Sequence, residues 1–270
     1  MKKESIVAKK KFGQNFLKDE TVLRKIIQAM PKNDNKIVEI GPGLGDLTKF
    51  LVDVKSVEAF EVDTDLCKVL QDRFKKEIDT KQLHIRCGDV LDAWQSGSLV
   101  DESYDLVANL PYYIATNIIL KALTDPMCKN ILAMVQLEVA EKFCAEVGDK
   151  NFGSLGIITQ STGTSHIVVR VPPTAFEPQP KVDSAVFLIQ KSKNRDDEEF
   201  EKMLRVAFTQ PRKTLIKNLS KVYEKDMLLQ AYGDLSLTHT IRPHQVCTQD
   251  YHQLYNIIQG SLDGRRETRD

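Results

Sequence analysis

Residues 36–48 read KIVEIGPGLGDLT and decide the fold of this chain. A short apolar strand runs into Gly41, Gly43 and Gly45, and a helix is predicted to begin near Asp46. Glycines at a strand-to-helix turn let the backbone approach a ligand closely, although they also occur in ordinary tight turns. The stretch indicates a parallel α/β unit with a ligand at the carboxyl end of its first strand.

The chain up to residue 190 alternates between apolar strands and helical segments. Strands are predicted near Ile37, Val57, Leu83, Tyr104 and Ile131, and helices at residues 21–29 and 63–76. Such alternation is typical of a mostly parallel sheet with helical crossovers. Two later strands, at residues 165–171 and 184–190, flank a proline-rich loop and predict an antiparallel hairpin at one edge of the sheet.

A polar run at residues 191–199 is predicted to link two domains. Beyond it, the apolar positions of residues 200–259 have a largely helical period. We therefore expect an α/β domain at residues 1–192 and a small all-helical domain at residues 193–270. A chain of 270 residues is long enough for a large domain and a smaller one.

Acidic residues stand at the ends of the next two strands. Glu61 ends the second strand, where a carboxylate can hold a ribose hydroxyl pair, and Asp89 follows the third and can accept from an adenine amine. Asp46 stands where a dinucleotide fingerprint needs a third small residue, and its charge at a helix N-terminus disfavours a nearby phosphate. The pattern therefore favours S-adenosylmethionine, which contains adenosine and an amino acid but no phosphate.

The tetrapeptide Asn109-Leu110-Pro111-Tyr112 follows the fourth strand. An Asn amide oxygen, with a carbonyl that the following proline turns away from the sheet, can accept both N–H groups of an exocyclic amine. Tyr112, or Tyr113 beside it, can stack on a nucleobase, an interaction worth roughly 1 to 3 kcal/mol. The structural alternative is a proline turn with core tyrosines. Downstream of the cofactor pattern, the tetrapeptide indicates methylation of an adenine amine.

Five ordered motifs carry a family resemblance. They are KKFGQNFL at residues 10–17, VEIGPGLG at 38–45, Gly88-Asp89, NLPYY at 109–113 and VPPTAFEPQPKVDSAV at 171–186. Together they resemble the rRNA adenine N6-dimethyltransferase family, and within it the bacterial small-subunit enzymes most. The resemblance implies a class I, Rossmann-like, S-adenosylmethionine-dependent methyltransferase domain with no metal, followed by a helical rRNA-binding domain.

The resemblance also implies a reaction and a set of site residues. Two adjacent adenosines in a hairpin loop near the 3′ end of 16S rRNA would each receive two methyl groups, late in assembly of the small ribosomal subunit. The implied base-handling residues are Asn109, Leu110, Pro111, Tyr112 and Phe176, the last as a second aromatic wall or else a core residue. The implied cofactor-binding residues are Gln14, Asn15, Leu17, Gly41, Gly43, Glu61, Asp89 and Asn109.

Basic residues are clustered although the formal net charge is zero, with 38 Lys and Arg against 38 Asp and Glu. The candidate RNA-binding residues are Lys10, Lys11, Arg212, Lys213, Lys217 and Lys221. The last three recur every four residues, which predicts one stripe on a helix. A stripe of this kind can follow an RNA backbone, but it is also common on a solvated helix face, and the N-terminal arm can equally be a disordered tail.

Two rival functions fit the same motifs. A large-subunit rRNA adenine methyltransferase of the antibiotic-resistance type shares the cofactor motifs and a segment like NLPYY. A non-catalytic assembly factor that uses the cofactor fold as an RNA-binding scaffold is the more distant rival. The combination of Asn109, Pro111 and Tyr112 argues against it, because a scaffold has no chemical need for these residues.

Cysteine usage and hydropathy favour an intracellular location. The five cysteines are odd in number and contain no C-x-x-C pair, so neither a zinc site nor a disulfide framework is expected. The sequence has no signal peptide and no apolar run long enough to span a bilayer. We expect a cytoplasmic protein, monomeric and with no membrane partner. The five histidines are scattered, and none is predicted to serve as a catalytic base.

Overall fold

The structure, a computed structural model, describes residues 14–95, 97–195 and 197–267, and within them the side chains up to residue 262. The candidate RNA-binding residues Lys10 and Lys11 lie outside these ranges. The described chain forms two compact units. The first comprises residues up to 141 together with 162–194, and the second comprises residues 142–161 together with those from 195 onwards.

The first unit contains a seven-stranded sheet. Its strands are β2 (Lys36–Ile40), β3 (Val57–Glu61), β4 (Leu83–Cys87), β5 (Tyr104–Asn109), β6 (Cys128–Gln136), β7 (Gly163–Val171) and β9 (Ser184–Lys191). Their order across the sheet is β4-β3-β2-β5-β6-β9-β7. The first five are parallel, and β9 pairs antiparallel with both β6 and β7. The predicted α/β class, with a mostly parallel sheet and an antiparallel edge hairpin, is confirmed.

Helices connect the parallel strands of this unit. They are α1 (Glu20–Ala29), α2 (Thr48–Leu51), α3 (Thr64–Arg73), α4 (Lys75–Asp79), α5 (Val90–Ala93), α6 (Ala115–Thr124) and α7 (Leu137–Phe143), the last of which crosses into the second unit. Asp19 and Asp63 each precede a helix and accept hydrogen bonds from its first N–H groups. The amphipathic α1 buries Val22, Leu23 and Ile26. Helix α2 begins two residues later than expected, because the glycine-rich stretch continues as a turn to Leu47.

A separate two-stranded sheet carries the start of the described chain. Its strands are β1 (Phe16–Leu17) and β8 (Phe176–Glu177), which pair antiparallel so that Leu17 lies opposite Phe176. The backbone N–H of Lys18 also donates to the carbonyl of Ala175 at 2.8 Å. These bonds fix the segment that precedes α1 against the loop that follows β7.

The second unit is helical, as the apolar period predicted. It contains most of α8 (Ser154–Thr162) together with α9 (Glu198–Ala207), α10 (Leu215–Leu219), α11 (Lys225–Asp234) and α12 (Thr248–Glu267). It also includes residues 142–161, which the sequence assigned to the first domain. Within α8, Gln160 donates to the Ala145 carbonyl and accepts from Thr248 near the C-terminus. These bonds join segments far apart in sequence, so the local pattern did not reveal them.

Gly45 provides a test of the glycine-rich turn. Its φ is +83°, and a Cβ atom there would overlap the ring of Phe74, a core residue that is 4% exposed. Gly97 has a similar φ of +68° but no atom within 4 Å of the same position. Because both substitutions strain the backbone, we expect Gly45→Ala to lower the free energy of unfolding by about 2 kcal/mol more than Gly97→Ala in urea titrations. Equal losses would contradict this packing role.

Candidate active site

A cleft of about 1040 Å³, including the space open to solvent, lies at the carboxyl ends of β2, β3 and β5. The carboxyl ends of parallel strands meet at one edge of a sheet, and the strand order changes direction between β2 and β5, which is where α/β sheets bind ligands. The predicted site residues Gln14, Asn15, Leu17, Gly41, Gly43, Glu61, Asp89, Asn109, Leu110, Pro111 and Tyr112 all line this cleft. Asn15 and Asn109, which are 94 positions apart in sequence, are among the residues that come together in it.

Glu61 is fixed by two backbone hydrogen bonds. One carboxylate oxygen accepts from the N–H of Gly43 at 3.0 Å, and the other accepts from the N–H of Asp63 at 2.9 Å. Burial raises the pKa of Glu61, and these two bonds to its charged form oppose that rise. The Gly43 amide therefore holds an acid instead of facing a ligand. A Cβ on Gly43 would lie 3.0 Å from the ring of Phe16, so this glycine also makes room for the aromatic ring.

The lining of the cleft is acidic. It includes Glu39, Asp46, Glu61 and Asp89, and none of its described residues is Lys, Arg or His. Asp46 is paired with Lys18 at 2.6 Å. A phosphate would therefore find no cationic partner on the cleft wall, whereas a ligand with positive charge is favoured. This agrees with the phosphate-free ligand that Asp46 predicted.

Glu39 is the most deeply buried acid of this lining. It is 1% exposed, and its carboxylate accepts a hydrogen bond from the Thr48 hydroxyl at 2.7 Å. Burial raises its pKa to about 8, with a smaller contribution from the charge of Glu61 and an opposing one from Thr48. Glu39 is therefore mostly protonated at neutral pH.

The Asn109 amide has a defined orientation. Its nitrogen donates a hydrogen bond to the backbone carbonyl of Asn15 at 3.1 Å. The amide oxygen points to the opposite side of the group and stays an acceptor, which is what binding of an amine requires. The sequence predicted the acceptor but not the carbonyl that orients it.

The segment before α1 contacts both halves of the cleft. Besides the bond from Asn109 to Asn15, the Gln14 amide donates to the Asp63 carboxylate at 3.1 Å. Asp63 caps α3 and, through its own N–H, also holds Glu61. Residues 14–15 thus connect the end of β3 to the end of β5 across the mouth of the cleft.

Tyr112 and Tyr113 occupy different positions. The Tyr112 hydroxyl is 2.7 Å from the hydroxyl of Ser184, the first residue of β9, and burial raises the Tyr112 pKa. Tyr113 is 59% exposed. It lines the cleft together with Asp89 and Glu61, and burial, followed by the charges of those two acids, raises the Tyr113 pKa. The two adjacent tyrosines of NLPYY do not reveal which one is buried and which one is exposed. The turn after Pro111 decides that, because it points the two side chains in different directions.

Residues 6–260 match the ribosomal RNA adenine dimethylase family. The chain belongs to this family. It is 77% identical over 264 residues to a protein of Sulfurimonas denitrificans named Ribosomal RNA small subunit methyltransferase A, with 98% of each chain covered. A relative of the same name in Aliarcobacter butzleri is 50% identical and covers 94% of this chain and 97% of its own.

Solved structures agree with this membership. A dimethyladenosine transferase from Plasmodium falciparum has a TM-score of 0.76 at 26% identity, over 88% of this chain and 95% of its own. The 23S rRNA methyltransferase ErmE has a TM-score of 0.69 over 91% of this chain and 100% of its own, but at 24% identity it shows the shared fold alone. The predicted class I methyltransferase fold is confirmed, and S-adenosylmethionine is the methyl donor of this dimethylase.

Phe176 lies outside the cleft of this dimethylase. It is 3% exposed, pairs with the equally buried Leu17, and belongs to the hydrophobic core. The burial of Phe176 matches the alternative of a core phenylalanine, and its place as a second aromatic wall stays a prediction. Phe16 and Leu17 both line the cleft.

The predicted basic residues of the second unit are exposed, but they do not share one helix. Of Lys213, Lys217 and Lys221, only Lys217 lies in α10, which ends at Leu219. The other two lie in the turns on either side, so the prediction of a single helical stripe is wrong. The short helix is stabilised by buried Asn218, whose amide donates to the carbonyls of Ala207 and Gln210.

A disulfide bond joins Cys67 and Cys87. The expectation of no disulfide is therefore wrong for this pair. The cysteine count and the absence of C-x-x-C could not reveal it, because the packing of α3 on β4 brings together residues 20 positions apart. Cys128 and Cys247 are free thiols. Within the described ranges, no cluster of three or more potential ligands is arranged for a metal ion, and no helix is long and apolar enough to cross a bilayer.

The raised pKa of Glu39 predicts a pH dependence of stability. Between about 4.5, its ordinary value, and about 8, the folded protein holds a proton that the unfolded chain releases, so the free energy of unfolding falls as pH rises. Glu39→Gln removes this titrating group, and we expect the stability of the variant relative to the wild type to increase by at most about 1.4 kcal/mol per pH unit across that window. Urea unfolding between pH 5 and 8 measures the difference, with the exposed Glu138→Gln as control. A difference that does not change with pH would contradict the assignment.

Proposed function

We propose that this chain transfers methyl groups from S-adenosylmethionine to the N6 amines of two adjacent adenosines in a hairpin loop near the 3′ end of 16S rRNA. Each adenosine receives two methyl groups, and the substrate is an assembling small ribosomal subunit in the cytoplasm, with the enzyme acting as a monomer. Family membership and the two small-subunit relatives support this substrate. The observation that carries the reaction is the Asn109 amide, held by Asn15 with its oxygen as an acceptor in an acidic cleft.

The cofactor occupies the side of the cleft formed by the ends of β2, β3 and β4. S-adenosylmethionine supplies an electrophilic methyl group on a sulfonium, and its positive charge suits a wall of acids without a cationic side chain. Glu61, held by two N–H groups, has lone pairs left for the ribose hydroxyls. Asp89 accepts from the adenine amine, and the turn at Gly41 and Gly43 borders the methionine part.

The segment before α1 closes over the cofactor. Gln14, Asn15 and Leu17 line the cleft, and the Gln14 and Asn15 contacts reach both of its halves. Phe16 adds an aromatic ring against Gly43. With these residues in place, water is displaced from the point where the methyl group and the amine meet, which strengthens the electrostatic interactions there.

The target base occupies the side of the cleft formed by the end of β5. The Asn109 oxygen and the Leu110 carbonyl accept the N–H bonds of the N6 amine and favour a pyramidal nitrogen with a free lone pair. Tyr112, fixed by Ser184, presents its ring to the face of the base. Loop nucleotides leave their stack at a cost of only a few kcal/mol, which suits a hairpin-loop substrate.

Catalysis relies on alignment and on placement of the acceptors. No histidine lines the described part of the cleft, and no general base is required, because the methylated amine becomes acidic and releases its proton to water. Holding donor and acceptor in line removes much of the entropic cost of a bimolecular reaction. Because the amine loses one N–H after the first transfer, the two acceptors must also bind a monomethylated nitrogen.

RNA binding is proposed for the second unit and the N-terminal arm. Arg212, Lys213, Lys217 and Lys221 are exposed, and none forms an ion pair with a residue that the structure describes. Residues 202–223 contain no Asp or Glu. Exposed cations without acidic partners gain most from contact with phosphates, since no existing ion pair has to be broken. Lys10 and Lys11, which lie outside the described residues, are proposed to contact RNA phosphates as well.

The proposed function is tested with unmethylated small subunits and labelled S-adenosylmethionine, followed by nucleoside analysis. We expect dimethyladenosine, and Asn109→Ala should lower kcat by at least about 100-fold because an acceptor at the reacting amine is lost. Binding of S-adenosylhomocysteine and of RNA should change little. Asn117→Ala, an exposed asparagine on α6, is the matched control. Methylation of large subunits alone, or undiminished transfer by Asn109→Ala, would refute the proposal.

The basic surface predicts a salt dependence of binding. Replacing Lys213, Lys217 and Lys221 together with Gln should reduce the slope of log affinity against log salt by about 1 for each phosphate that the variant no longer neutralises. Filter binding to the small-subunit hairpin at several salt concentrations measures the slope. The triple variant Lys25→Gln, Lys68→Gln and Lys76→Gln removes the same charge from exposed positions of the first unit. Equal slopes for the two triple variants would exclude a specific role for the surface.

A further inference from the structure

The disulfide partners lie on two neighbouring elements of the first unit. Cys67 is in α3 and is 3% exposed, whereas Cys87 is the last residue of β4 and is exposed. Their Cα atoms are 6.1 Å apart, within the usual range for a disulfide. The bond closes a loop that includes most of α3, all of α4 and the whole of β4.

The disulfide lies next to the residues proposed to bind adenosine. Cys87 is the register partner of Glu61, and the Cys67 sulfur lies 3.5 Å from the Glu61 carbonyl oxygen. The next residue, Gly88, donates its N–H to that same carbonyl at 2.8 Å, and Asp89 follows it. Leu66 and Gly88, the immediate neighbours of the two cysteines, both line the cleft. The bond therefore ties together the two segments that carry Glu61 and Asp89.

The position of Cys87 makes it the accessible sulfur of the pair. β4 is an edge strand of the sheet and pairs with β3 alone, so the end of the strand is open to a small reagent. The Cys87 thiolate can attack a low-molecular-weight disulfide such as oxidised glutathione, forming a mixed disulfide and releasing one thiol. The Cys67 thiolate then displaces the second thiol. The two cysteines lose two protons and two electrons, and the external disulfide is reduced to two thiols.

We propose that Cys67 and Cys87 form a reversible disulfide that makes cofactor affinity depend on the redox state of the surroundings. The coupling to affinity rests on the proposed cofactor site, whereas formation of the bond does not. The oxidised state shows an intact cleft, with Glu61 still held by Gly43 and Asp63. The bond is therefore compatible with cofactor binding and preorganises the adenosine side. Reduction frees α3 and β4 to move apart, so that part of the binding energy must restore the site.

The test compares the full chain equilibrated with excess oxidised glutathione and with excess dithiothreitol. In the oxidised sample we expect an intact mass lower by two hydrogen atoms and a thermal midpoint higher by about 5 °C. We also expect S-adenosylhomocysteine to bind about threefold more tightly by calorimetry. Cys87→Ser and Cys67→Ser should each remove all three differences. Cys247→Ser, a free cysteine of the second unit, should retain them.

Each other result overturns a defined part of the proposal. Free thiols at both positions after oxidation would show that the pair does not form a reversible disulfide. A thermal shift with unchanged S-adenosylhomocysteine affinity would exclude the coupling. Absence of binding in both states would refute the proposed cofactor site and with it the coupling, while the mass and the thermal midpoint would still decide whether the bond forms.

Discussion

The anchoring of Glu61 is the constraint on which the site depends. Its carboxylate accepts from the glycine-rich turn through Gly43 and from the start of α3 through Asp63. One buried acid therefore joins the ends of two parallel strands and fixes the side of the cleft where we propose that the cofactor binds. The N–H of Gly43 already donates to Glu61, and the absence of a Cβ at Gly43 makes room for the ring of Phe16. Gly43 therefore contributes more directly to packing and to the position of Glu61 than to contact with a ligand.

A second set of contacts extends this arrangement to the reacting centre. The Asp63 carboxylate accepts a hydrogen bond from the Gln14 amide. The backbone carbonyl of Asn15, which follows Gln14, accepts a hydrogen bond from the Asn109 amide. The same short segment thus contacts the cap of the helix beside Glu61 and sets the direction of the Asn109 amide. Pairing of Leu17 with Phe176 holds that segment in place. The proposed positions of the cofactor and of the base consequently share one structural element, which suits a reaction that depends on the relative position of two substrates.

Charge is unevenly distributed over short stretches even though the chain is neutral overall. The cleft has acids and no basic side chain along its described lining, whereas residues 202–223 of the second unit have basic residues and no acid. An acidic cleft favours a cationic methyl donor over a phosphate-bearing cofactor, and an exposed basic segment favours a polyanion. A formal charge of zero therefore coexists with two local surfaces of opposite charge, which suit different ligands.

The sequence by itself determined the parallel sheet, the glycine-rich turn, the acids at the strand ends and the tetrapeptide Asn109-Leu110-Pro111-Tyr112 at the end of β5. These features are local, since apolar periodicity and turn residues act over a few positions and strand ends of a parallel sheet must converge. Only the tertiary structure decided that Phe176 is a core residue, that residues 142–161 belong to the helical unit, and that Cys67 meets Cys87. It also decided that Lys213, Lys217 and Lys221 do not share one helix and that Asn15 orients Asn109. Each of these depends on which distant segments pack together, and no local pattern specifies the partner of a hydrogen bond or the face that becomes buried.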